Sequence, residues 1–489
     1  MDQNQSPVAD NLAMFARDPV HGFGGPGHHR GRGAPAEALA ALGDAAFRAD
    51  ILTPKGLDDR TKRFHVMEQA EALAADAWGA DAAFYGTSGT TQNLQALLLS
   101  LAAPGDILLV AGNDHRASFS LALTSGLTIV PLTPAYDAER DVENGVTAAA
   151  AEAALAAHPG AKAVVIVSPT FFGVTSDVRA IAAAAHARDV PLIVDAAWGG
   201  AFAFSAALPP CPLTLGADAM VTSVHKTMGA LAQGSVILLR GDRVDPDRLQ
   251  RTLDCIQTTS PSVPILASLD LARRAHARDG EALWRGVLER VGTAASRIAA
   301  LGDYRVYGDE RLGAPGVADL DRSKLVIDVT ALGVSGFDAD EWLQSRARVS
   351  VVLSDARHLV ATFSVGNDAG DVDALVAGLA GLRDAVARGE LRRSAPGAGY
   401  GALERGTTVM LPAHAARAAS ERVSYADAVD RIAVELVAPA PPEVPRLMPG
   451  ERVTAATAAW LAHADASGAF IPGAEGDERG TMLVVRDRA

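Results

Sequence analysis

Between residues 82 and 239 short apolar runs recur with helical stretches between most of them, and this alternation constrains the fold more than any other feature of the chain. The runs are Ala82 to Tyr85, Ile107 to Ala111, Leu127 to Leu132, Ala163 to Val167, Pro191 to Asp195, Ala219 to Ser223 and Ser235 to Leu239. They lack polar alternation, so both faces of each strand need cover, which the Ala-rich helices supply. The pattern predicts a mainly parallel α/β sheet with ligands at its strand ends.

At 489 residues the chain exceeds one ordinary domain. We expect an N-terminal segment (1–50), a large domain (51–300), a small α/β domain (301–390), and a linker with a C-terminal domain (391–489). In the small domain Leu325 to Val329, Val349 to Leu353 and Leu359 to Val365 read as strands, and Asp338 to Ala347 and Val372 to Arg388 as helices. Beyond the Gly/Arg/Ser-rich linker, helices are expected near Tyr425 to Val434 and Thr454 to Ala464. The first 35 or so residues are rich in Gly, His and Pro, which suits an arm following another surface.

A net charge of −14 argues against nucleic acid or an anionic membrane as partner, because both need clustered cations. Two cysteines, Cys211 and Cys255, leave no disulfide framework and no cysteine-built metal site; no metal is expected. The N-terminus carries no basic region followed by an apolar core, and no apolar run is long enough to span a membrane, so the cytoplasm is expected.

Four stretches carry chemistry. Gly86-Thr87-Ser88-Gly89-Thr90-Thr91 joins a strand to a helix, where backbone N–H groups and hydroxyls can face a phosphate. His115 follows the second strand, Asp195 ends the fifth and Trp198 lies three residues on. Ser223-Val224-His225-Lys226 follows the sixth; a lysine there can form a Schiff base if burial lowers its pKa. Taken singly, each has a plain use: a helix cap, a satisfied imidazole, a core tryptophan, a solvated lysine.

Taken in order, these residues resemble the fold-type-I (aspartate aminotransferase-like) pyridoxal-phosphate (PLP) enzymes, and among them the ornithine/lysine/arginine decarboxylase family. Pro26-Gly27-His28, Gly56-Leu57-Asp58-Asp59, Thr258-Thr259-Ser260-Pro261-Ser262, Lys324-Leu325-Val326-Ile327-Asp328 and Leu447-Met448-Pro449-Gly450-Glu451 extend the likeness from about residue 20 to about 475. It implies a seven-stranded-type sheet in the large domain and small α/β domains toward the C-terminus. Lys226 would hold PLP as a Schiff base, Asp195 would keep its pyridine nitrogen protonated, and His115 would stack on its ring. Ser88, Gly89 and Thr90 would bind its phosphate, with Ser223 and His225 closing the other side and Trp198 packing beside it.

The resemblance implies decarboxylation of arginine, lysine or ornithine to the amine and CO2, as in polyamine metabolism. The proton returned to Cα would come from His115 or Lys226. The distal cation of such a substrate needs an acidic partner, for which Glu451 is the candidate and Asp355 a weaker one. The same residues also fit an aminotransferase, a lyase or an amino-acid oxidase on one scaffold, and a catalytically dead relative that senses an amino acid. The loop Arg60 to Val66 departs from the family's Pro/Gly-containing turn. Starting directly with the arm, the chain looks like the short form of the family; a homodimer with shared active sites is the expected assembly, and large rings are not expected.

Overall fold

The structure, a computed structural model, describes residues 1–17, 23–51, 65–391, 402, 405–439, 443–474 and 478–486. Gly56-Leu57-Asp58-Asp59, the following loop as far as Phe64, and most of the linker lie outside the described residues.

The seven runs form one sheet: β1 (Ala82–Gly86), β2 (Ile107–Ala111), β3 (Thr128–Leu132), β4 (Ala161–Val167), β5 (Leu192–Asp195), β6 (Ala219–Thr222) and β7 (Ser235–Leu239). Their spatial order is β1-β7-β6-β5-β4-β2-β3. β2 pairs in parallel with β3 and β4, while β7 runs antiparallel to β1 and β6. Every residue of β5, β6 and β7 is buried, as their unbroken apolar runs require.

Contact density divides the described chain into two units, residues 1–100 with 194–285 and residues 101–193 with 286–489. In the first, α1 (Pro7–Arg17) packs on α2 (Val66–Trp78). Gly79 ends α2 in the left-handed region (φ 68°), donating to the carbonyls of Ala75 and Asp76. The N-terminal residues are tied down by a buried pair: Arg273 donates to Asp270 (2.6 Å) and to the carbonyls of Gln3 and Gln5, and Asp270 accepts the Val8 N–H. The composition of the first 35 residues did not announce α1.

The second unit carries a four-stranded antiparallel sheet in the order Arg305–Tyr307, Lys324–Asp328, His358–Thr362, Leu353–Ser354. Helix Ala369–Ala387 opens with a capping box between Asp368 and Asp371. A further core gathers Tyr425, Val437, Leu447, Val453, Leu461 and Val484 around a two-stranded sheet, Ser420–Ser424 with Thr481–Val485.

Two expected elements differ. Val349 to Val352 is not strand: the strand is Leu353–Ser354 alone, Val352 N–H reaches the Val360 carbonyl just ahead of it, and Val349 N–H is spent on the Leu343 carbonyl. Tyr425 to Val434 is a run of turns, not a helix. Asp430 sits at φ 64°, and the N–H groups of Asp430, Ala433 and Val434 go to Val453, Glu451 and Leu483, so neighbouring segments take the hydrogen bonds a helix would use.

Candidate active site

In the first unit the Gly86-to-Thr91 turn leads into helix α3, Gly89–Leu101. Gly89 takes φ +74°, a conformation natural to glycine, and its N–H is bound by the Gln233 carbonyl at 2.8 Å. The next amides of the first turn have no partner inside the helix and carry the positive end of its dipole. Thr90 Oγ1 lies 3.0 Å from Ser223 Oγ, so hydroxyls from α3 and from the end of β6 converge. Ser88 is exposed beside them.

The ends of β5 and β6 are locked together: Ala196 N–H donates to the Val221 carbonyl and Ser223 N–H to that of Ala197. Gly200 is needed here, since a Cβ would stand 2.8 Å from Thr222 Oγ1. Asp195 is buried, with Oδ1 accepting the Ala197 N–H at 3.0 Å. Lys226 Nζ lies 4.4 Å from the centre of the Trp198 ring. Burial pushes the Lys226 amine below its ordinary value, and the Asp195 carboxylate only partly opposes this. His225 donates from Nδ1 to the Gly234 carbonyl (2.9 Å), and burial lowers its pKa with help from Lys226. The structure thus brings together Gly89, Thr90, Asp195, Trp198, Ser223, His225 and Lys226 within one unit.

His115, Glu451 and Asp355 belong to the second unit. His115 caps helix α4, Arg116–Ser120, its Nδ1 accepting the Ala117 N–H at 3.2 Å. Asp114 below it is fully buried and accepts the His115 N–H and the Ser118 hydroxyl, both at 2.7 Å. Glu451 is buried against Arg405, 3.6 Å away, and accepts the Met448 N–H at 2.9 Å. Arg405 also lies over the Phe119 ring and donates to the Pro445 carbonyl. Asp355 accepts from the buried His358 ring at 2.9 Å and faces a cavity of about 80 Å³. That cavity is lined by Tyr136, Glu143, Phe172, Arg446 and Trp460 as well; Arg446 pairs with Glu143 (2.7 Å) and stacks over Trp460.

Arg405, Arg446 and Glu443 were not singled out from the sequence. Their ion-pair partners, Glu451, Glu143 and His115, lie in distant segments of the chain, and no local spacing marks an arginine or a glutamate as buried or paired.

The family signature "Orn/Lys/Arg decarboxylase, major domain" matches residues 6–308, and that of the family's C-terminal domain matches 404–488. An arginine decarboxylase of Halalkalibacterium halodurans is 34% identical over 99% of this chain and 98% of its own. An arginine decarboxylase of Bacillus subtilis is 31% identical over 100% and 99%. In fold, the crystal structure of the Francisella novicida lysine decarboxylase matches 98% of this chain and 80% of its own with a TM-score of 0.83 at 18% identity. Matched across both domains and along its length, the chain belongs to the Orn/Lys/Arg decarboxylase family, carboxy-lyases of basic amino acids.

Proposed function

We propose that this decarboxylase uses pyridoxal 5'-phosphate to convert L-arginine to agmatine and CO2. The observation that carries the cofactor assignment is Lys226: a half-buried lysine whose amine is held below its usual pKa by desolvation, near a buried carboxylate and against an indole face. A lysine in that state gives up its proton more readily than a solvated one, which favours its use as a nucleophile. The arginine assignment is supported by full-length relatives from Halalkalibacterium halodurans and Bacillus subtilis, both arginine decarboxylases.

The residues present suit the cofactor's chemistry. PLP, when bound, supplies an electron sink for the pair left on Cα as CO2 departs. Thr90, Ser223 and the α3 amides that follow Gly89 offer donors to a phosphate, with Ser88 and His225 at the margin. Asp195, pinned by the Ala197 N–H, presents an acceptor to a pyridinium N–H. Trp198 shields the amine from water. His115 is assigned to the cofactor ring by the resemblance, and it or Lys226 returns the proton to Cα. Glu451 is the acid assigned to the distal cation; its carboxylate already meets one guanidinium, that of Arg405, so a substrate guanidinium would have to share or displace it. A cytoplasmic homodimer completes the reading, on the same resemblance.

The test is mass spectrometry of products from PLP-loaded protein given L-arginine, L-lysine or L-ornithine separately, with Lys226→Ala as control. Agmatine from arginine, absent in the control and at least about tenfold above turnover of the other two, is expected. A keto acid, or faster CO2 loss from lysine, overturns the assignment.

A further inference from the structure

Glu443 occupies a backbone position that disfavours it. Its φ is +60°, where a residue with a Cβ is uncommon and glycine is at ease. Its N–H donates to the Pro439 carbonyl and its own carbonyl accepts the Arg116 N–H, both at 3.0 Å, so the conformation is held from both sides. The result is a carboxylate with one oxygen 3.6 Å from His115 Nε2 and 3.7 Å from an Arg116 guanidinium nitrogen. A strained backbone that holds a side chain against a residue assigned to the site is the pattern expected where geometry is retained for use.

The opposite edge of the His115 ring is already committed. Ala117 N–H can only donate, so Nδ1 must accept, and in the neutral ring the proton then sits on Nε2. That N–H is the one turned toward Glu443. Asp114 accepts the His115 backbone N–H and the Ser118 hydroxyl, and Arg116 reaches the same Glu443 oxygen. Two contacts on opposite edges thus define ring plane and tautomer together.

We infer that Glu443 is a positioning residue for His115, holding its imidazole with Nε2–H toward the carboxylate and Nδ1 on the helix cap. The inference rests on the assignment of His115 to the cofactor ring. A ring so held offers a flat face in one orientation and a proton on a defined nitrogen, which a freely rotating imidazole does not.

The test uses Glu443→Gln, which keeps the shape, and Glu443→Gly, which suits the backbone and so guards against a folding artefact. In cofactor-free protein with ¹³C-labelled histidine, the His115 signal, identified by its loss in His115→Ala, is titrated directly. Both variants should lower its titration midpoint by roughly half a pH unit, since a partly exposed carboxylate at this range favours the imidazolium modestly. In the loaded enzyme kcat should fall about three- to tenfold while KM for arginine stays within about twofold. The melting temperature of Glu443→Gly should be no lower than that of the parent. An unmoved His115 midpoint with unchanged kcat, in protein whose His115→Ala variant is impaired, overturns the positioning role and leaves the assignment of His115 standing. An unchanged kcat in His115→Ala overturns both.

Discussion

Replacing Glu451 by glutamine removes the negative half of a buried ion pair and leaves the positive half in place. The two side chains are 5% and 9% exposed for Glu451 and Arg405, with 3.6 Å between nitrogen and oxygen. Burial raises the Glu451 pKa and lowers that of Arg405, and the attraction between the two partly opposes both shifts. At that separation and an effective dielectric of about 20, the attraction is about 4–5 kcal/mol. A glutamine amide still accepts the Met448 N–H and still offers a dipole to Arg405, so the expected net loss is about 3 kcal/mol, toward the lower end of what breaking a buried pair costs. Urea unfolding of cofactor-free parent and variant, followed by tryptophan fluorescence, measures it. Arg405→Met with Glu451→Met should recover most of the loss, because neither charge is then left buried alone. A loss under about 1 kcal/mol for Glu451→Gln would refute the reasoning: the pair would then be solvated and its electrostatics those of a surface contact. KM for arginine in the same variant separates a substrate role from a purely structural one, since the structural cost alone leaves KM of the folded fraction unchanged.

Other predictions follow from single contacts. Ser223→Ala and Thr90→Ala should each weaken cofactor retention about tenfold, by loss of one hydrogen bond to a charged group, read by equilibrium dialysis against PLP. His358 is fully buried; burial pulls its pKa down, but the Asp355 ion pair and Asp328 outweigh this and raise it above the ordinary imidazole value. Its stabilisation is therefore complete below pH about 6.5 and is lost as pH rises through the folded pKa. The melting temperature should fall over that window, and His358→Gln should remove the slope. Gly450 takes φ +88°, and a Cβ there would stand 2.0 Å from the Met410 carbonyl oxygen; Gly450→Ala should cost about 3 kcal/mol or more in the same urea assay.

Much of the fold and part of the candidate site were legible in the residues. β5, β6 and β7 are apolar without alternation because both their faces are buried, and that requirement is written directly into composition. Gly89 at the mouth of α3, and Asp195 and Ser223 at strand ends, could be located because strand, turn and helix are set by neighbours a few positions apart. The turns at Tyr425 to Val434 were not legible: that segment is helix-like in pattern, and its N–H groups are claimed by Val453, Glu451 and Leu483.

The sequence by itself determined the succession of strands and helices along the chain, the Gly/Ser/Thr turn before α3 and the lysine just after β6, because propensity, glycine conformation and apolar periodicity act over a few residues. Only the tertiary structure decided that Glu451 meets Arg405, that His358 is flanked by Asp355 and Tyr307, and that Glu443 faces His115. Electrostatic partnership depends on distance and on exclusion of water, and neither exists until segments remote in the chain are packed together.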